Sequence, residues 1–139
     1  MGSAQETFTS ILKAHRQSIT KTRLRVFGAL VGQEPLSMHA LVARLPDVDR
    51  ASVYRAVDLF ERLGIIQHLN MGWKYKLELT DKFADHHHHL TCVKCGATIA
   101  MNENELEQVI ERLAAVHSFA PSAHQIEIQG LCSQCQQAA

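Results

Sequence analysis

The chain has no hydrophobic run long enough to cross a membrane and no apolar core near its start. A membrane-spanning helix needs roughly 18 or more consecutive apolar residues, and no stretch of this sequence approaches that length. The opening residues, MGSAQETFTSILKAHR, also lack the apolar segment of about 7–15 residues that a secretory signal contains. Because 46% of the residues are hydrophobic, a packed core is still expected. We therefore expect a soluble, cytoplasmic protein of one or two small domains.

The sequence has no excess of either charge, since 14 Lys and Arg balance 14 Asp and Glu. An even distribution of these charges would argue against nucleic acid as a partner. The distribution is uneven: residues 1–79 carry 11 basic against 7 acidic side chains, and residues 80–139 carry 3 against 7. This asymmetry predicts a basic, DNA-facing half joined to an acidic half whose charge bound metal cations would partly offset.

Cysteine is scarce, but all four cysteines lie in two Cys-x-x-Cys pairs, Cys92 with Cys95 and Cys132 with Cys135. Four thiolates are the ligand set of a closed tetrahedral zinc site. Two disulfides are the alternative, and they require an oxidising compartment, so we predict structural zinc. The pairs are 36 residues apart, more than the roughly 15–20 of a compact zinc ribbon, which predicts a folded element between them.

Four consecutive histidines, residues 86–89, lead directly into the first cysteine pair. A solvated polar loop would explain the histidines but not the cysteines. The Leu90-Thr91-Cys92-Val93 segment that follows alternates, which indicates an extended chain. In an extended chain successive side chains point to opposite faces. His86 and His88 would then serve one metal site, while His87 and His89 would serve another.

Apolar residues recur at helical spacing through the first half of the chain. The best-marked helix is DRASVYRAVDLFERLG, with Asp49 as its N-cap and Gly64 just past its end. Exposed positions near its N-terminus could contact phosphates or base edges, namely Arg50, Ser52, Tyr54 and Arg55. Three shorter helices are predicted before it, at about residues 7–16, 21–31 and 37–45.

Two extended runs follow, residues 65–69 and 73–79, separated by Asn70-Met71-Gly72, and they predict a hairpin. Short helices, a longer helix and a hairpin in this order are typical of a winged helix-turn-helix, whose last helix enters the DNA major groove. A small helical domain with a hairpin and no DNA partner is the alternative.

In the second half, residues 90–93, 97–101 and 124–129 predict strands, and Asn102 is expected to cap a helix that runs to about His117. One helix on a three-stranded sheet leaves an apolar face, which we expect a second copy of the chain to cover. The predicted fold class is α+β, with an N-terminal winged helix-turn-helix DNA-binding domain and a small C-terminal α/β dimerisation domain that carries the four-cysteine zinc site. The predicted boundaries are residues 1–80, a hinge at 81–85, and 86–139.

These segments resemble the ferric uptake regulator superfamily, which includes repressors that respond to iron, zinc, manganese and peroxide. The resemblance runs from Thr20-Lys21-Thr22-Arg23 to Cys135, and its most specific parts are RASVYRAVDLFERLGII, HHHHLTCVKCG and HSFAPSAHQIEIQGLC. It implies a homodimer in which regulatory metal at the domain junction sets two DNA-binding domains on a palindromic, AT-rich operator of double-stranded DNA.

The resemblance also implies roles for individual residues. The four cysteines match the structural zinc site, and Tyr54 and Arg55 match residues that contact DNA. A site inside the dimerisation domain is matched by His86, His88, Glu107 and His124. His87, His89 and Glu78 match ligands of the inter-domain regulatory site.

The sequence departs from the family pattern at the inter-domain site. The histidine that many members place before the third helix is absent, and Ala100 stands where a late acidic ligand is usual. Zinc regulators often have a cysteine where this chain has Glu78. His68, in the first wing strand, is a candidate replacement ligand, although it could equally be an ordinary strand residue. Nitrogen-rich sites of this kind suit zinc, iron or nickel and do not select among them. We expect Fe(II) or Zn(II) as the regulatory metal, with Mn(II) as a further candidate.

The leading hypothesis is a metal-dependent DNA-binding repressor of metal uptake or homeostasis genes that senses iron or zinc and has no enzymatic activity. A manganese or peroxide sensor is the alternative within the family. A zinc-dependent hydrolase is a second hypothesis, but no nucleophile or metalloprotease motif is recognisable. A metal storage or delivery protein is a third, and it would leave the DNA-binding half without a use.

Overall fold

The computed structural model describes residues 2–71 and 74–138. The chain divides into two units, Met1–Asp85 and His86–Ala139. Residues 81–85, the predicted hinge, group with the first unit, where the Phe83 ring meets the Phe27 ring edge-on with centroids 5.2 Å apart. Within the described residues, no helix has both the length and the hydropathy needed to cross a membrane.

The N-terminal unit contains four helices and a two-stranded hairpin. Its helices are α1 (Gly2–Ala14), α2 (Lys21–Gly28), α3 (Met38–Ala43) and α4 (Arg50–Arg62), and its strands are β1 (Ile66–Met71) and β2 (Lys74–Leu79). The order confirms the predicted winged helix-turn-helix arrangement. The predicted turn at Asn70-Met71-Gly72 lies partly outside the described residues. Leu36, between α2 and α3, pairs with Leu77 of β2 and so ties the hairpin to the helices.

Side-chain caps determine where three of these helices begin. Thr20, Ser37 and Asp49 accept hydrogen bonds from the backbone N–H three residues further along the chain. Such caps satisfy amide groups that have no partner within the helix. The cap prediction at Asp49 is therefore confirmed, and Thr20 and Ser37 are the caps of α2 and α3.

Three phenylalanines from three helices form the centre of this unit. Phe8 of α1 stacks on Phe27 of α2 with ring centroids 4.2 Å apart and meets Phe60 of α4 edge-on at 5.1 Å. All three side chains are at most 3% exposed. Full burial of one such side chain contributes about 1.5–3 kcal/mol to stability, so this cluster holds α4 against the other helices.

The C-terminal unit contains a three-stranded sheet and two helices. Its elements are β3 (His88–Cys92), β4 (Thr98–Met101), α5 (Asn104–Val116), β5 (Glu127–Gly130) and α6 (Ser133–Gln137). The sheet order is β4-β3-β5; β4 is antiparallel to β3, and β5 is parallel to it. The inserted element predicted between the cysteine pairs is therefore β4, α5 and β5.

Some predicted boundaries in this unit were wrong. Asn102 does not cap α5, because Glu103 is the N-cap position and makes no side-chain cap hydrogen bond. The predicted strand at residues 124–129 is shorter, since β5 begins only at Glu127. His124 therefore lies in the loop before β5, and the alternation of strand side chains does not determine its direction.

Candidate metal centres and nucleic-acid interface

The structure brings the four cysteine thiols together from the two ends of the C-terminal unit. Cys92 ends β3, Cys95 follows a tight turn, and Cys132 and Cys135 lie at the start of α6. The turn closes through the Gly96 N–H, which donates to the Cys92 carbonyl at 2.9 Å, and Gly96 has a φ of 78°, which favours glycine.

The spacing of these sulfur atoms suits zinc. The Sγ atoms of Cys95 and Cys132 are 3.8 Å apart, and ligand atoms of all four cysteines lie within 4.8 Å of one another. Tetrahedral coordination with Zn–S bonds of about 2.3 Å places sulfur atoms about 3.8 Å apart. All four cysteines are free thiols, so neither of the disulfides considered as the alternative is formed.

Backbone hydrogen bonds prepare one of these thiols for a cation. Hydrogen bonds from the Cys132 and Cys95 backbones lower the pKa of Cys92 to about 6. Hydrogen bonding with Cys132 and burial raise the pKa of Cys135 to about 12. A first thiolate therefore forms readily, whereas the full set of four requires a bound cation, which displaces the remaining protons.

The second cluster consists of three histidines and one carboxylate within the C-terminal unit. Its members are His86, His88, Glu107 and His124, and ligand atoms of all four lie within 4.8 Å of one another. The Nε2 atoms of His88 and His124 are each 2.7 Å from a different oxygen of Glu107. His86 completes the group, with its Nε2 3.1 Å from that of His124.

The electrostatics of this cluster favour an ionised carboxylate. Burial acts to raise the pKa of Glu107, but the hydrogen bond from His88 and the charges of His124 and His86 together lower it below its usual value. The Ile126 N–H donates to Nδ1 of His88 at 3.1 Å, and Nε2 of the same ring faces the Glu107 carboxylate. Ligands must be deprotonated to bind a metal ion, so metal binding at this cluster would weaken as the pH falls.

The other two histidines of the run lie apart from this cluster. His87 and His89 contact each other, with ring centroids 4.8 Å apart, and His89 is only 1% exposed. The alternation predicted from the sequence is therefore present: His86 and His88 join Glu107, and His87 and His89 do not.

The two predicted wing ligands lie on opposite faces of the hairpin. Glu78 pairs with Gln67, whose Nε2 donates to its carboxylate at 2.7 Å. His68 pairs with Leu77 and therefore points the other way. There its Nε2 lies 3.2 Å from Glu61, and its ring stacks on Tyr75 at 4.4 Å. The structure does not bring His68 together with Glu78, because their side chains project from opposite faces of the hairpin.

The predicted DNA-contacting residues lie on the first two turns of α4. Ser52 serves the cap, because both its N–H and its hydroxyl donate to Asp49. Arg55 donates to the Ser52 hydroxyl at 3.1 Å, and the Arg50 guanidinium lies over the Tyr54 ring at 5.4 Å. The hydrogen bonds from Ser52 lower the pKa of Asp49. Tyr54 is 40% exposed, so its ring is accessible to a partner.

A polar cleft beside α4 adds residues that the sequence pattern had not identified as DNA-facing. The cleft has a volume of about 300 Å³ and is lined by Thr20, Thr22, Arg23, Ser52, Arg55 and Ala56. It places the start of α2 next to the start of α4. Two guanidinium groups and three hydroxyls are suitable partners for a phosphate. The sequence signal for the added residues is the Thr20-Lys21-Thr22-Arg23 segment, with which the family resemblance begins.

The comparisons agree with this arrangement. A family model described as the ferric uptake regulator family matches residues 15–129. The chain belongs to the ferric uptake regulator family. One relative is the ferric uptake regulation protein of Neisseria meningitidis serogroup C, which is 32% identical over an alignment 141 positions long, gaps included, that covers 94% of this chain and 96% of the relative. The protein is accordingly a metal-dependent transcriptional regulator.

Solved structures of this family share the fold. The ferric uptake regulator of Vibrio cholerae, whose DNA-binding domains are rearranged, aligns with a TM-score of 0.74 and 27% identity over 87% of this chain and 96% of its own. The Helicobacter pylori regulator, which has three functional metal-binding sites, aligns with a TM-score of 0.83 and 21% identity over 97% and 93%. The predicted family and fold class are confirmed.

Cys95→Ser tests the role of the thiol cluster. Zinc binding at such a site is coupled to folding, so we expect zinc loss and a thermal unfolding midpoint lower by at least about 10 °C. Metal content and differential scanning calorimetry measure both. Val93→Ser, at an exposed position in the same turn, is the control and should keep its zinc. Unchanged zinc content and stability in Cys95→Ser would contradict a structural role.

Proposed function

We propose that this regulator is a homodimeric, cytoplasmic repressor that binds a palindromic, AT-rich operator when Fe(II) or Zn(II) occupies its regulatory site. The observation that supports this most strongly is the division of the four histidines. Residues 86 and 88 belong to a cluster with Glu107 and His124 inside one unit, whereas residues 87 and 89 form a separate pair of contacting imidazoles. Mn(II) is a further candidate for that pair.

The proposed regulatory ligands are His87, His89 and Glu78, which come from different units of the chain. A ligand shifts a conformational equilibrium only through its different affinity for the two states. Metal that joins two domains gains or loses ligands when they move, whereas metal inside one domain mainly stiffens that domain. We therefore assign control of DNA binding to His87 and His89, and a supporting role to the Glu107 cluster. His68 is left out because it lies across the hairpin from Glu78.

For DNA binding, we propose that α4 enters the major groove. Tyr54 and Arg55 would face base edges, and the cleft lined by Thr20, Arg23 and Arg55 would hold a backbone phosphate. The DNA-binding domains of the Vibrio cholerae relative support this proposal. The excess of basic over acidic side chains in residues 1–79 also favours binding to DNA.

For dimerisation, we propose that a second copy covers one face of the sheet. Leu90 pairs with Ile99 on one side and Ile128 on the other, so the three form an apolar row. Ile99 and Ile128 are 55% and 49% exposed. Exposed apolar surface of this kind marks interaction sites, and a two-fold dimer would bury it while presenting two copies of α4 to a palindrome.

Arg55→Ala tests the DNA assignment. A bidentate contact from arginine to a base contributes about 1–3 kcal/mol of discrimination, and a symmetric dimer would lose it twice. We expect specific operator binding to fall at least tenfold (about 1.4 kcal/mol), with metal content and dimerisation unchanged, as measured by fluorescence anisotropy and ultracentrifugation. Arg62→Ala, at the exposed far end of the same helix, is the control. Equal binding by both variants would exclude this face of α4.

His87→Ala and His124→Ala separate the two metal positions. Each removes one partly exposed imidazole, so their effects on folding should be similar. We expect His87→Ala to lose most of the metal dependence of operator affinity, with a coupling loss of about 1–3 kcal/mol. His124→Ala should retain most of it. The measurement is operator affinity as a function of buffered free Fe(II) or Zn(II) for each variant. A larger loss of metal dependence in His124→Ala than in His87→Ala would assign sensing to the Glu107 cluster.

A further inference from the structure

Glu127, the first residue of β5, has a buried carboxylate oxygen that the regulator functions above do not use. Its Oε1 atom has less than 1 Å² of accessible surface and no hydrogen-bond partner among the described residues. Isolating an ionised carboxylate from water without a partner is costly. A bound cation is one group that would satisfy a buried carboxylate oxygen of this kind.

The sheet register places this carboxylate beside His89. In the parallel pairing of β3 and β5, Glu127 lies directly opposite His89. Residues paired across neighbouring strands project from the same face, with backbones about 4.8 Å apart. The backbone also fixes this register locally, since the His89 N–H donates to the Ile126 carbonyl at 3.2 Å. Glu127 therefore shares the face of His87 and His89, not that of Leu90.

The neighbour of His89 on the other strand offers no ligand. In the antiparallel pairing of β3 and β4, the residue opposite His89 is Ala100. The row across the three strands is thus Ala100, His89, Glu127, with one imidazole at the centre and one carboxylate at one side. Glu127 is therefore the carboxylate of this row.

We propose that Glu127 is a ligand of the metal ion held by His87 and His89, supplying through β5 the carboxylate that β4 lacks at Ala100. The assignment rests on the proposed function of that histidine pair. Imidazole nitrogens and carboxylate oxygens bind such ions at similar distances, about 2.0–2.2 Å for zinc. Mixed nitrogen and oxygen ligation suits a divalent transition metal, and a carboxylate shifts preference towards Fe(II) and Mn(II) relative to purely nitrogen or thiolate sites.

The assignment has a consequence for the metal-free chain. Without its metal, such a ligand keeps one unsatisfied buried oxygen, so neutralising the carboxylate should not weaken the fold. A carboxylate with a purely structural role would behave in the opposite way. Stability without regulatory metal therefore distinguishes a ligand from a packing residue.

The test is Co(II) titration of the full-length dimer with its structural zinc retained, followed by visible absorption. All chains carry His124→Ala, so that the Glu107 cluster competes less for the probe. Glu127→Gln should weaken Co(II) binding at the histidine pair at least about tenfold and change the absorption envelope. Its thermal midpoint without Co(II) should be unchanged or raised. Glu105→Gln, which removes an exposed carboxylate from α5 of the same unit, is the matched control and should bind like the parent.

A second experiment moves the carboxylate from β5 to β4. In Ala100→Glu/Glu127→Gln the carboxylate moves to the other neighbour of His89, and much of the lost Co(II) affinity should return. If Glu127→Gln does not fold, Glu127→Asp keeps the charge but withdraws the oxygens by one methylene and should also weaken binding.

Parental Co(II) affinity and absorption in Glu127→Gln would overturn the assignment of Glu127 alone. An equal loss of affinity in Glu105→Gln, or a lowered midpoint of Glu127→Gln without Co(II), would overturn it as well. If the parent chain binds no Co(II) that His87→Ala removes, the histidine pair is not a metal site and the proposed function fails with it.

Discussion

The period-two alternation of an extended chain is the constraint on which the metal chemistry of this protein depends. Along residues 86–89, one imidazole follows another, and the backbone sends them alternately to the two faces of β3. One face meets Glu107 of α5, and the other faces away from it. A one-residue slip of this strand would exchange the two pairs, so the register of β3 also determines which histidines belong to which site.

That register is held by the elements on both sides of β3. β4 and β5 pair with it along its length, and the thiols of Cys92 and Cys132 bring the end of β3 next to the start of α6. Zinc at the four thiols would therefore fix the end of the strand whose beginning carries the histidines. In this account the cysteine site does not sense metal, but it keeps the sensing residues in position.

Much of this arrangement could be predicted from the sequence because it depends on local spacing. The Cys-x-x-Cys pairs, the alternation of the histidines and the caps at Ser37 and Asp49 each involve residues within a few positions of one another. The relative positions of Glu78 and His68 could not be predicted in this way. Which face of the wing each occupies depends on the pairing of β1 with β2, and that register was not evident from the sequence.

Long-range pairing also explains why Glu127 was not recognised as a candidate ligand. Its position in a Gln-Ile-Glu-Ile alternation indicated a strand, but only the parallel pairing with β3 places it beside His89. The cleft formed by Arg23 and Arg55 is a similar case, because its two arginines come from α2 and α4, which are separated along the chain by α3 and its loops.

In the proposed function, metal at His87 and His89 and operator DNA are energetically coupled. Coupling of this kind is reciprocal, so DNA must tighten metal binding by the same factor by which metal tightens DNA binding, within about 5–150-fold. The direct measurement is the affinity of the full-length dimer for Fe(II) or Zn(II), with and without saturating operator DNA. Coupling requires tighter metal binding in the presence of operator, and no such change with a scrambled duplex. Identical metal affinities with and without operator would contradict it.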